Sequence, residues 1–188
     1  MKNAFLTFLL VVSIALVFPQ AGRGQEKKHG GTTQDSFLNK AMEMNQAEIN
    51  LSRTAQEKAE DPKVKEYAGM MVQDHTKALE ELRNEAGGSS GEVTLTKQHQ
   101  QTSDKLSRLS GTEFDKAYMD AMVRDHQQAV QTFQREANAS SGNTTRQKPG
   151  TSRKSDADIA REMLPTLQKH LTQAEQINRS IGGSAGTK

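Results

Sequence analysis

Apolar and polar positions along the chain fall into five stretches of helical period. Phe37, Ala41, Met44, Leu51 and Ala55 recur in steps of three, four or seven, which places one inward stripe on a helix from about Ser36 to Ala59. Asp61-Pro62, an N-cap residue followed by Pro at the first helical position, opens a second helix. Its stripe is Val64, Tyr67, Met71, Ala78 and Leu82, and after about Ala86 the pair Gly87-Gly88 stops it. A shorter helix spans about Val93 to Leu109. Ser110-Gly111-Thr112 breaks that one, and Thr112 with Asp115 gives a capping-box-like start to a fourth, which reaches about Ala139. Phe114, Tyr118, Met122, Ala129 or Val130, and Phe133 form its stripe. "SSGNTTRQKPGTSRKS", about residues 140–155, reads as a solvated basic linker. The fifth helix runs from about Asp156 to Ile181, with Ile159, Met163, Leu167, Leu171, Ala174, Ile177 and Ile181 inward, and ends at Gly182-Gly183. Four long amphipathic helices and a short one predict an all-α fold, an antiparallel four-helix bundle with an additional short helix over residues 36–181, and a disordered tail over 182–188.

The first residues do not fit that pattern. "MKNAFLTFLLVVSIALVFPQAGRGQ" has a basic start at Lys2, an apolar run from Ala4 to Phe18, then Pro19 and small residues. That layout predicts a secretory signal peptide over about 1–24, because the apolar run falls short of the roughly 20 residues a spanning helix needs. Residues 25–35 then read as a flexible segment leading into the bundle. The expected location is the periplasm or outer envelope, with membrane association only through the signal segment if it is not cleaved. The chain contains no Cys, so no disulfide supports the fold and no lipoprotein anchor is available. A net charge of +2, or +1 without Lys2, leaves no electrostatic footprint for nucleic acid.

One phrase occurs twice. "YAGMMVQDHTKALEELRNEA" begins at Tyr67 and "YMDAMVRDHQQAVQTFQREA" at Tyr118, and 8 of the 20 aligned positions agree. The shared Tyr-x-x-x-Met-Val-x-Asp-His core suggests duplication or a common packing demand, with helices 2 and 4 in equivalent positions of two helix pairs related by a pseudo-two-fold axis.

Four stripe positions are polar. Glu48, His75, His126 and His170 interrupt the apolar stripes of helices 1, 2, 4 and 5, each near its helix midpoint. In a bundle of helices of similar length the midpoints share a level, so one carboxylate and three imidazoles converge in one layer. A polar group facing a core needs a partner. A hydrogen-bonded layer that specifies packing meets that need, and so does a transition-metal ion held by Glu48, His75, His126 and His170. Met71 and Met122, one turn before two of the histidines, are possible extra ligands that would favour copper over zinc or iron. Asp74 and Asp125 lie about 100° round the helix from the histidines, which places them, with Tyr67 and Tyr118, as supports of the layer. His29 and His99 receive no role.

"FLNKAMEMNQAEINLSRTAQEKAEDPKVKEYAGMMVQDHTKA", "LSGTEFDKAYMDAMVRDHQQAV" and "MLPTLQKHL", in this order, resemble the bacterial family called domain of unknown function 4142, over about Phe37 to Ile177. The resemblance implies a ferritin-like helical bundle in an exported protein. Its motif positions match Glu48, Asp74, His75, Phe114, Asp115, Tyr118, Asp125, His126, Pro165 and His170. It implies no activity.

Ferritin-type di-iron sites pair Glu-x-x-His on two helices with a Glu from each of two others. Here Val72, Val123 and Leu167 stand three places before the histidines, so the bridging carboxylates are missing and a ferroxidase role is disfavoured. No Ser has a His and an acid placed for hydrolysis. The first expectation is a non-catalytic binding or structural protein of the cell envelope with a polar His/Glu core layer. The alternative is a protein binding one Cu, Zn or Fe ion, and after that a metal-dependent oxidoreductase.

Overall fold

The computed structural model describes residues 33–88, 92–139 and 153–183. The expected signal peptide, most of the segment expected to lead into the bundle, most of the 140–155 linker and the end of the tail lie outside them. The elements are α1 (Thr33–Lys58), α2 (Pro62–Glu85), α3 (Lys97–Ser107), α4 (Gly111–Ala139) and α5 (Asp156–Gly183). Among the described residues no strand occurs, and no helix is long and apolar enough to cross a membrane.

Local chemistry sets the helix ends. The Asp61 carboxylate accepts from the Lys63 N–H at 2.7 Å, and Pro62 fills the first helical position of α2. At its other end the N–H of Gly88 reaches the Arg83 carbonyl at 2.8 Å and that of Gly87 reaches Asn84 at 3.1 Å, the paired bonds of a Schellman motif. Gly87 holds φ at 95°, which side-chain-bearing residues rarely adopt. Ser155 and Asp158 form a reciprocal cap at the start of α5: the Ser155 hydroxyl accepts from the Asp158 N–H at 3.2 Å and donates to its carboxylate at 2.6 Å.

Two ends differ from the sequence reading. α3 starts at Lys97 rather than near Val93, because Thr96 caps it and the Thr96 N–H is given to the Glu43 carboxylate of α1 at 2.7 Å. α4 starts at Gly111, and Asp115 does not serve a Thr112 cap. The buried Asp115 carboxylate instead accepts from the backbone N–H groups of Glu60 and Asp61, the latter at 2.7 Å, and so ties α4 to the α1–α2 turn.

Contacts fix the directions of the long helices. Phe37 near the start of α1 meets Phe133 near the end of α4, with ring centroids 5.1 Å apart, while Ser52 further along α1 bonds Tyr118 near the start of α4. Arg161 in α5 donates to the Ala137 carbonyl of α4, and Asn178 to Asp120. Neighbouring helices are therefore antiparallel, in the cyclic order α1–α2–α5–α4. The α2–α4 connection crosses the length of the bundle and carries α3 with it, one long crossover of the ferritin-like kind. α3 is fastened to α1 at both ends. Glu43 binds Thr96 and His99 at its N-terminus, and the Lys58 ammonium donates to the Leu106 and Ser107 carbonyls at its C-terminus. Glu43→Ala should cost about 1–3 kcal/mol, since it strands the Thr96 N–H and takes from the His99 imidazole the closer of its two partners. The loss should concentrate in α3, visible as faster amide exchange over residues 97–107 than in the long helices.

The core has two parts. Phe37, Leu38, Met44, Leu79, Leu82, Phe133 and Ile159 belong to one cluster, and Leu51, Val64, Tyr67, Met71, Phe114, Tyr118 and Met122 to the other. Within the stripes Leu79 takes the buried place expected of Ala78, and Ala129 is buried where Val130 is only half-buried. Between the two clusters lies the polar layer.

Candidate metal centre

The layer assembles from the middles of all four long helices. α2 supplies His75, α4 supplies His126, α5 supplies His170, and α1 supplies Glu48 with Asn45 one turn earlier. All five are buried, with His126 at 0%, His170 at 1% and His75 at 3% exposure. The ring centroids stand 5.6 Å apart for His75–His126, 5.2 Å for His75–His170 and 5.5 Å for His126–His170. One nitrogen from each ring lies within 4.8 Å of the others. Metal–nitrogen bonds of about 2.0–2.1 Å place such nitrogens roughly 3.3–3.6 Å apart, so less than about 1 Å of inward movement per ring closes the site.

The outer nitrogen of each ring is already engaged. His75 Nδ1 meets Asn45 Oδ1 at 2.9 Å and Glu48 Oε2 at 3.0 Å. The Asn45 amide nitrogen donates to the Ala41 carbonyl at 2.8 Å, which fixes its oxygen towards His75. His126 Nδ1 faces the Met122 carbonyl at 2.9 Å and, more loosely, Glu48 Oε1 at 3.4 Å. His170 Nε2 faces Asp74 Oδ2 at 3.0 Å. Every one of these partners is an acceptor, so each outer nitrogen carries the proton.

The inner nitrogens are left with lone pairs. His75 Nε2, His126 Nε2 and His170 Nδ1 are buried and have no hydrogen-bond partner among the described residues. Burial resists protonation of His126 and His170. It lowers the pKa of His126 against the opposing pull of Glu48, and holds His170 at about 4 although Asp74 favours its charged form. Burial also opposes ionisation of Glu48, yet the nearby imidazoles outweigh it and hold the carboxyl at about 2.

The sequence-predicted residues divide accordingly. The three histidines come together as one set of inward donors. Glu48 shares their level but stands on the Nδ1 side of His75 and His126, behind the rings and not among the inward nitrogens. Asp74 supports His170. Its counterpart Asp125 bonds no layer histidine; its buried carboxylate meets Arg124 Nε at 3.2 Å, and burial pushes its pKa up. Met71 and Met122 are fully buried in the cluster beside the layer, and Met122 serves His126 through its backbone carbonyl. The Tyr67 hydroxyl donates to the His170 carbonyl at 3.3 Å and the Tyr118 hydroxyl bonds Ser52 at 2.8 Å, so neither touches an imidazole. Asn45 was not anticipated; its signal is its position three residues before Glu48 on the same helix face. His99, given no role from sequence, fastens α3 to Glu43 at 2.7 Å.

The Domain of unknown function (DUF4142) family matches residues 19–177. The chain belongs to this family. The matched span includes all three layer histidines, Glu48 and Asp74. A solved DUF305 protein from Streptomyces coelicolor, thought to be secreted, shares the fold with a TM-score of 0.60 at 15% identity, over 80% of this DUF4142 chain and 94% of its own. No curated protein matches the chain.

The doubled phrase acquires a geometric meaning in this DUF4142 bundle. α2 and α4 run parallel on opposite sides of its axis, and equivalent residues face each other: Tyr67 meets Tyr118 at 6.5 Å and His75 meets His126 at 5.6 Å between centroids. The partner of α2 precedes it in the chain, whereas the partner of α4 follows it. The two hairpins are therefore not tandem copies in chain order, and the shared phrase reflects a common demand on two helices that face one core layer.

Proposed function

We propose that this chain is an exported metal-binding protein that holds one late transition-metal ion at His75 Nε2, His126 Nε2 and His170 Nδ1. One observation carries the reading. One nitrogen of each ring lies within 4.8 Å of the others, and three ring nitrogens are buried without a hydrogen-bond partner among the described residues while the opposite nitrogen of each ring faces an acceptor. Lone pairs gathered in a core repel one another unless a cation sits between them, and outer partners that fix the tautomer are what metal-ligating histidines use. Packing alone requires only the outer bonds and gives no reason for the inner nitrogens to meet.

Binding is favoured over turnover. Two surface clefts, one lined by Gln46, Asn50 and Arg83 and the other by Glu81, Leu82 and Glu162, include none of the layer residues, so neither brings a substrate to the imidazoles. Residues 1–24 act as the signal peptide in this reading, and the chain works in the periplasm or outer envelope. The likeness to a protein thought to be secreted agrees with that.

Purified protein, stripped of metal and titrated with Cu, Zn and Fe, should take up one equivalent by elemental analysis. His75→Ala and His170→Ala should abolish the uptake. Asp74→Asn should keep the stoichiometry and weaken affinity about 10–100-fold, the usual cost of losing an outer partner. Absence of stoichiometric uptake of any of the three ions sinks the reading.

A further inference from the structure

We propose that the three-imidazole layer selects monovalent copper over divalent ions. The inference rests on the metal-binding reading above and adds the kind of ion that fits. Imidazole suits Zn, Cu, Fe and Ni alike, so donor type alone does not discriminate. Coordination number does. Zn(II) takes four donors in closed sites and completes its shell with water in open ones. Cu(II) and Ni(II) favour tetragonal surroundings, and non-haem Fe(II) favours two histidines with a carboxylate and open positions. Cu(I) has a filled d shell and is satisfied by three donors in a plane.

The layer supplies three donors and withholds a fourth. Among the described residues, the converging nitrogen and oxygen ligands are those of His75, His126 and His170. Glu48 and Asp74 lie behind the rings, on the protonated side of each imidazole. Burial shields the site from bulk solvent, since no imidazole is more than 3% exposed. The ligand set is thus three-fold and shielded.

Charge balance points the same way. Glu48 is 2% exposed and lies against two of the rings, so its negative charge must be matched within the core. The Asp74 side chain is 39% exposed, and solvent screens it. A single positive charge beside Glu48 makes a neutral buried unit, whereas a dication leaves the core short of a counter-charge. The surroundings are also soft. Met71 and Met122 are fully buried in the adjoining cluster, one turn before His75 and His126. Polarizable, apolar walls suit a weakly hydrated ion better than a strongly hydrated one.

The test is a competition under anaerobic conditions on purified, metal-stripped protein. Cu(I) is supplied as its acetonitrile complex against bicinchoninate, and Zn(II) against a zinc chelator of known affinity. One Cu(I) per chain should bind at least about 100-fold more tightly than Zn(II). Copper-edge X-ray absorption should show three nitrogen scatterers at about 2.0 Å and no sulfur. One equivalent of Zn(II) bound as tightly as Cu(I) overturns the selectivity while leaving a metal site in place. So does a fourth light scatterer at copper. A sulfur scatterer that disappears in Met71→Leu or Met122→Leu overturns the three-nitrogen basis. Failure of every ion to bind removes the metal reading and this inference together.

Discussion

His126→Leu is expected to erase metal-induced stabilisation while leaving the metal-free protein nearly as stable as wild type. A ligand at a thousand times its dissociation constant stabilises the folded state by about 4 kcal/mol, which for a domain of this size raises the melting temperature by roughly 8–16 °C. Wild type should show that gain with the ion it binds. The variant should show none, because two lone pairs replace three. Its metal-free stability should stay within about 1 kcal/mol of wild type, for two reasons. The Met122 carbonyl that faces His126 Nδ1 belongs to the same helix and has its helical bond as an alternative. The substitution also removes one of three mutually repelling nitrogens and puts an apolar group of similar size in its place, an exchange that tends towards neutral. Paired melts with and without metal measure both quantities. If the imidazole only satisfies packing, the outcome inverts: wild type ignores metal, and His126→Leu loses about 1–3 kcal/mol.

The metal-free protein should also lose stability with acid in two stages. His170 titrates at about 4 when folded against an ordinary 6.5, because burial and the neighbouring imidazoles outweigh Asp74. The folded state therefore binds fewer protons than the unfolded state between those values. Stability falls as pH drops through that window, by on the order of 3 kcal/mol from this ring alone. His126 is lowered as well and adds in the same direction. Glu48 titrates at about 2 when folded against 4.5, so its contribution is present above 4.5 and is lost as pH falls towards 2. Chemical denaturation at a series of pH values should show both stages, and Glu48→Gln should remove the lower one. Stability unchanged from about pH 7 to pH 4 contradicts the assignment of neutral, buried imidazoles. Bound metal should steepen the upper stage, since protons then compete for the same nitrogens.

The helices and the level of the layer were legible because both follow from spacing. A stripe of apolar residues with a polar residue at its midpoint says which face is buried and how high on the helix the exception sits. It does not say which side of a neighbouring ring a carboxylate will occupy. Glu48 therefore read as equal to the histidines, although it lies behind two of them. Asp74 and Asp125 occupy the same place in the repeated phrase and read alike. Their fates diverge because α2 presents Asp74 to His170 of α5, whereas Asp125 on α4 is held by Arg124. Asp115 read as a helix cap for the same reason: a local rule cannot foresee that the α1–α2 turn will bring two backbone N–H groups to it.

Sequence alone determined that this protein is all-α, where its long helices run, that one phrase sits on two of them, and that three histidines and a glutamate share one level. Those features rest on periodicity and turn chemistry, which act within a few residues. Tertiary structure alone decided which ring nitrogens point inward. That choice depends on Asn45, Glu48, the Met122 carbonyl and Asp74 taking the outer protons. Three of these four acceptors come from another helix, and their approach exists only once the bundle has closed.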